Sequence, residues 1–309
     1  MPYFPNETTD GKPFDSFGPH ETCKLNTCPI EFSIFRYRPS LAANTVLLAL
    51  FFILFLIHLA IGIRTKGKSV PAVICVGCLL EVIGYVGRIM LWINPFGYIG
   101  FVLQILFLTV APVFLSAAIY VTVFLMMAHL NPNMSRVPPK LYYRVFITSD
   151  VFALVFQALG GILSTLGENS AHSGLYDTGV DVALTGLSLQ VATMGAISVV
   201  VCDYLARYIV ARGGWSKISR ALQLFTVFES LGIIFILLRC AYRVAELSQG
   251  FTGPLYHDQG LFIGLEGVAV LLAVAFLAVA HPGLAFRYPE PGKDEVVPRG
   301  EFEMMDNNN

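Results

Sequence analysis

The 309-residue chain is 55% hydrophobic and only 13% charged, about half the charged share of an ordinary soluble domain. That much apolar surface exceeds what a water-soluble core of this size requires and points to a lipid environment. A formal net charge of -1 excludes a nucleic-acid binder acting through bulk positive charge.

The N-terminal stretch of about 40 residues is polar and rich in Pro, Gly, Asn and Asp. It lacks the early apolar run of a cleaved signal peptide, so the first membrane helix is expected to act as its own targeting signal. Cys23 and Cys28 lie in this tail, whereas Cys75, Cys78, Cys202 and Cys240 lie in apolar segments. Cys23 and Cys28 are therefore the candidates for a disulfide, and Asn6-Glu7-Thr8 reads as a glycosylation acceptor if the tail is external.

Seven segments reach the roughly 20 apolar residues a bilayer core demands: 41–63, 70–91, 98–129, 144–166, 182–210, 220–246 and 260–286. The predicted fold class is an all-α membrane protein, a seven-transmembrane helix bundle (41–286) between a polar N-terminal tail (1–40) and a polar C-terminal tail (287–309). The third, fifth and sixth segments are long, so they tilt, kink or protrude, and Pro112 marks a kink in the third.

Loop charge sets the expected orientation. Arg64, Lys66 and Lys68 follow the first span, Arg136, Lys140 and Arg144 the third, and Arg207, Arg212, Lys217 and Arg220 the fifth; Arg287, Lys293 and Arg299 occupy the C-terminal tail. The alternate loops, 92–97, 167–181 and 247–259, carry no Lys or Arg. The N-terminus is thus expected outside and the C-terminus in the cytosol, although Lys12, Lys24, Arg36 and Arg38 sit in the external tail.

Ionisable groups inside spans cost several kcal/mol on insertion scales and are functional candidates by default. Here they are Glu81 and Arg88 in the second span, Asp150 in the fourth, Asp203 in the fifth, Glu229, Arg239, Arg243 and Glu246 in the sixth, and Glu266 in the seventh. Gln157 and Gln190 accompany them, and Asp258 stands at the outer mouth. With a rise of about 1.5 Å per residue, Glu81 falls near mid-bilayer. Arg88, Arg239, Arg243, Glu246 and Glu266 fall in the outer half, so most of the buried charge is expected to belong to an outward-opening cavity.

Glu81, Tyr85 and Arg88 share one helical stripe, and Arg239, Arg243 and Glu246 share another. The two stripes hold both signs and are expected to pair across helices. Such pairs can also simply lock a bundle together, and Arg88 and Arg243 can snorkel to the outer headgroups. His58 and His281 stand alone without a zinc-binding spacing. Cys75-Val-Gly-Cys78 lies in an apolar helix without a second pair and reads as small core residues, while Gly84, Gly87 and Gly160-Gly161 permit close helix approach. No metal and no cofactor is called for.

Taken in order, these motifs resemble a fungal family, the lipid-translocating exporters, which include aminocholesterol-resistance proteins, sphingoid long-chain-base exporter-like proteins and a protoporphyrin transporter. The resemblance opens on Tyr37-Arg-Pro39-Ser40-Leu-Ala-Ala-Asn44 and runs through Glu81-Val-Ile-Gly84-Tyr85-Val-Gly-Arg88 and Ala111-Pro112 with Ala118-Ile-Tyr120. It continues with Asp150, Gln157, Gly160, Gly161, Gly186 and Gln190. Its longest match is Arg239-Cys-Ala-Tyr242-Arg243-Val-Ala-Glu246 with Gly250, and it closes on His281-Pro282-Gly283. One stretch departs from the family pattern: His257-Asp258-Gln259-Gly260-Leu261-Phe262 stands where a glutamate, aromatics and an aspartate are expected, and Asp258 and Glu266 stand in for them.

The resemblance implies transport or export of amphiphilic lipids or toxic hydrophobic compounds, conferring resistance, most simply at the plasma membrane, with the vacuolar or endoplasmic reticulum membrane as alternatives. The implied partners are a lipid or amphiphilic small molecule and the membrane itself, and no enzyme activity is expected. The chain has no GxxxxGK[ST] loop for P-loop ATP hydrolysis. Glu81, Glu246 and Glu266 are the carboxylates expected to hold an ammonium head. The rival reading is a seven-helix receptor or membrane-stress sensor that regulates lipid flippases. Against it, Phe124-Leu-Met-Met-Ala-His129 stands where a receptor carries DRY, and the seventh span has no NPxxY; the lack of a lysine there also excludes a retinal protein.

Overall fold

The computed structural model describes residues 23–65, 68–131, 134–136, 139–168, 173–250 and 253–281. Asn6 and the basic residues of the C-terminal tail lie outside them. Seven helices are long and apolar enough to cross a membrane: α1 (Leu41–Arg64), α2 (Ser69–Ile93), α3 (Tyr98–Leu130), α4 (Pro139–Glu168), α5 (Ser173–Ala211), α6 (Arg220–Ser248) and α7 (Gln259–Val279). No strand occurs among the described residues.

Local sequence sets the helix ends. Ser40 caps α1 by accepting from the Ala43 amide, and Ser219 caps α6 by accepting from that of Leu222. After α5 the chain turns through Gly213 (φ 79°) and Gly214 (φ 118°), left-handed conformations a side chain would strain.

Expected boundaries move. The fourth helix starts at Pro139, ahead of residue 144, and every described residue of the stretch 167–181 is helical, because α4 runs to Glu168 and α5 begins at Ser173, ahead of residue 182. Small residues hold this polar extension together: a Cβ on Gly167 would lie 2.3 Å from the Tyr176 amide nitrogen, and one on Gly179 2.4 Å from that of Ser164. At the other end α7 stops at Val279, short of residue 286.

Neighbours in sequence pack as neighbours in space, α1 on α2, α2 on α3, α4 on α5 and α6 on α7. The helix α3 also touches α4, α5 and α6, and α7 returns to α1. One face of α1 shows Leu50, Phe52, Ile53, Leu56 and Ile57, as expected of a helix bordered by lipid. Since lipid tails are as apolar as leucine, helix association here rests on close packing rather than on water release. Gly84 and Gly87 let α2 approach Leu108 and Gln104 of α3, and Gly160 lets α4 approach Ala183 of α5. His58 and His281, far apart in sequence, come within electrostatic reach of each other, and burial holds His281 down at about 4, with His58 adding to the effect.

The segment before α1 folds back over one end of the bundle. Cys23 and Cys28 form a disulfide that packs with Phe96. Arg38 donates to the Trp92 carbonyl at 2.8 Å and lies 4.2 Å above the Trp92 ring.

Adjacent glycines test the packing. A Cβ on Gly160 would meet the Ala183 nitrogen at 2.4 Å and the Gly179 carbonyl at 2.6 Å, whereas one on Gly161 meets nothing within 4 Å. Gly160→Ala is expected to destabilise the bundle by about 1–3 kcal/mol, and Gly161→Ala to stabilise it by about 0.5–1 kcal/mol. Thermal unfolding of the two purified variants in one detergent checks the contrast.

Candidate functional site, a charged cleft under an aromatic cap

The site begins with a proline. Pro112 has no N–H, so the Leu108 carbonyl one turn earlier loses its helical donor. Arg239, with no exposure, reaches across from α6. Its Nη2 donates to the Leu108 carbonyl at 2.8 Å and to Glu266 Oε1 at 2.7 Å. Glu266 sits in a π-helical stretch, Phe262–Val268, inside α7. Such a stretch re-aims side chains relative to an α-helix and is common at functional sites. One guanidinium therefore joins α3, α6 and α7.

Beside this pair lies Glu81, 1% exposed, on which the charges of Glu266 and Arg239 both act. One turn on, the Tyr85 ring stacks on Phe51 at 5.7 Å. Its hydroxyl lies 2.8 Å from where a Cβ on Gly267 would sit, so that glycine makes room for it. Several polar atoms of this floor have no hydrogen-bond partner among the described residues: Glu81 Oε2, Glu266 Oε2, the Tyr85 hydroxyl, and Arg239 Nε and Nη1.

Above the floor, toward the end capped by the N-terminal segment, a narrow cleft is lined by Gln104, Leu108, Arg243, Glu246, Tyr256 and Glu266, among others. The Arg243–Glu246 pair closes within α6 at 2.5 Å, and Tyr242 donates to Glu246 at 3.3 Å. Phe35 closes the cleft: its ring stacks on Tyr256 at 5.3 Å, and His257 Nδ1 lies 3.1 Å from its carbonyl oxygen. Burial and then the Glu246 carboxylate push the Tyr256 hydroxyl well above its ordinary range, so it stays protonated. Arg36, between Phe35 and Tyr37, adopts a left-handed φ of 56°. Both rings face Arg88, which donates to Tyr37 at 3.2 Å and to Gln104 at 3.3 Å and lies 3.9 Å over the Phe262 ring.

The sequence candidates thus divide. Glu81, Tyr85, Arg88, Arg239, Arg243, Glu246 and Glu266 converge on the cleft and its floor. The two stripes do not pair with each other as expected: Arg239 binds α7, Arg243 binds its own helix, and Arg88 takes a tyrosine and a glutamine. Nor does Arg88 snorkel, since it has no exposure. Asp150 instead knots three helices, accepting from Tyr120 of α3 and Thr193 of α5, each at 3.0 Å. Gln157 donates to Gln190 at 3.4 Å between α4 and α5. Asp258 caps α7 by accepting from the Gly260 and Leu261 amides. Asp203 sits at the opposite end with Arg136 and Arg207. Glu229 is buried, and neither of its oxygens has a partner among the described residues.

Sequence reading missed Phe35, Gln104, the Leu108 carbonyl and Phe262. Only the carbonyl had a signal, the proline four residues later.

Fold and site define a polytopic helical membrane protein with a charged internal cleft beneath a folded N-terminal segment. The chain belongs to the RTA1-like protein family, whose profile matches residues 74–289. Its relatives include the sphingoid long-chain base transporter RSB1 of Saccharomyces cerevisiae, 30% identical over 295 residues that span 84% of this chain and 75% of the relative. Protein RTA1 of the same yeast is 26% identical, over 81% of this chain and 85% of its own length. Protoporphyrin uptake protein 1 is 24% identical, over 82% and 94%. No solved structure matches the chain.

Breaking the central pair on one side leaves a buried guanidinium without its counter-charge, which costs about 3–5 kcal/mol. Glu266→Gln is therefore expected to lower thermal stability strongly, and Arg239→Met with Glu266→Leu to restore most of it. Unfolding curves in detergent for wild type, single and double variants measure the difference.

Proposed function

We propose that this protein transports amphiphilic lipids across a membrane, with sphingoid long-chain bases the leading substrate class, and that it works without enzymatic catalysis. The observation that carries the reading is the floor of the cleft. Glu81 Oε2 and Glu266 Oε2 are buried acceptors with no donor among the described residues. An ammonium group brings three donors, and the Tyr85 hydroxyl and the two free Arg239 nitrogens suit hydroxyls on the same head group. An apolar tail then lies between helices. The name of the yeast long-chain base transporter, at 30% identity, supports the same class.

In this reading Glu81, Tyr85, Arg239 and Glu266 hold the head, Arg243 and Glu246 line its approach, and the Phe35–Tyr256 stack parts to admit it. Asp150, Gln157, Gln190 and Asp258 serve the scaffold, and Glu229 lies further along the path. The basic residues between α1 and α2, α3 and α4, and α5 and α6 favour an N-terminus outside and a cytosolic C-terminus, with the plasma membrane as the site of action. Asn6 is then available for glycosylation, and Asn6→Gln tests it by gel mobility.

Reconstitution decides the main claim. Purified protein in phosphatidylcholine liposomes is expected to speed transbilayer movement of labelled sphinganine over protein-free liposomes. Glu246→Gln, matched for incorporation, is expected to slow it about tenfold or more, because a hydrogen bond to a charged group is worth about 1.5–3 kcal/mol. No acceleration by the wild-type protein overturns the carrier reading.

A further inference from the structure

The charges around Glu81 bear on what drives the movement. From α6 it feels Arg239 and from α7 Glu266; its own helix adds Cys78 and Tyr85, on which its charge acts in turn. At this level α1 presents Phe51, and α3 presents Leu108, Ala111 and Leu115, none of them ionisable. Arg239 is already held by Glu266 at 2.7 Å. Arg88 lies two turns along α2, about 10 Å away at the helical rise, against the Phe262 ring.

With every group ionised, the triad of Arg239, Glu266 and Glu81 carries one negative charge too many, in a core where each is at most 3% exposed. Two carboxylates within electrostatic reach of one guanidinium repel each other in a dry core, and a further cation beside them relieves that repulsion. That missing cation has two possible sources, a bound proton or a bound ammonium group.

We propose that Glu81 is an exchange site that holds a proton while the cleft is empty and releases it when a lipid ammonium group docks, one proton for each head group bound. The proposal rests on the reading above that the substrate carries an amine. In the exchange the O–H bond of the Glu81 carboxyl breaks, its electron pair stays on the carboxylate and the proton passes to water through the cleft. The ammonium arrives already charged, and no bond of the lipid changes. The triad is neutral before and after, so the loaded and empty states both tolerate the dry core.

Movement of the base in one direction is then tied to movement of a proton in the other. A gradient of one pH unit supports about a tenfold gradient of base, since one proton exchanges for one head group. Affinity rises with pH over the range where the empty site is protonated, because binding releases a proton.

The test uses the purified full-length protein in weakly buffered detergent at pH 6, where free sphinganine remains a cation and contributes no proton of its own. Titration with sphinganine is expected to release about one proton per base bound, read with a pH indicator dye. Glu81→Gln, checked for a monodisperse profile, is expected to release none and to bind with an affinity that no longer follows pH. Binding by the wild type without proton release overturns the exchange, whatever the variant does, and leaves the transport reading standing. In liposomes, movement of sphinganine indifferent to an imposed pH gradient overturns it equally. Failure of the wild type to move sphinganine at all instead removes the carrier reading.

Discussion

A guanidinium in the interior of a membrane bundle has to receive its acceptors from the protein, because lipid supplies none. Arg239 meets this demand through the Leu108 carbonyl and Glu266. The first acceptor exists because Pro112 cannot donate to it, and the second is presented by the π-helical stretch of α7. Each of the three helices thus carries a local irregularity or a charge that is costly alone and compatible only with the others in place. Gly84, against Leu108, and Gly267, against Tyr85, bring α2 close enough to add Glu81 to the same cluster.

The remaining polar groups follow from position relative to that cluster. On the side of the N-terminal segment the cleft is covered by aromatic rings, and Arg88 is stabilised by ring faces and neutral acceptors rather than by a carboxylate. A cation held over rings loses less on desolvation than a bare one. The α4–α5 half has its own polar glue, Asp150 with Tyr120 and Thr193, and Gln157 with Gln190. That glue satisfies its carboxylate, whereas the floor of the cleft leaves acceptors open.

Membership of the RTA1-like family fits a site of this kind, buried in the bundle and without the phosphate-binding loop of an ATP-driven pump in its sequence. The names of the yeast relatives cover a sphingoid base and a porphyrin, molecules of different shape. Phe35, Tyr256 and Phe262 line the cleft above the charged floor.

Much of the fold was legible in the chain. Runs of apolar residues long enough for a bilayer gave seven helices because a membrane leaves backbone groups no other partners than their own helix, and ionisable residues within those runs marked Glu81, Arg239 and Glu266 as costly and therefore purposeful. Helix ends were less legible, since the polar turns of α4 and α5 stay helical through glycine contacts that no single helix reveals. Pairing was not legible at all. Spacing along one helix places Arg239 and Arg243 on a common stripe, yet one bonds across to α7 and the other to its own helix. Which acceptor a buried arginine takes depends on which helix lies opposite and how it is rotated. Only the packed bundle fixes that, and so only the tertiary structure decided that Glu81 lies within reach of an Arg239 already bound by Glu266.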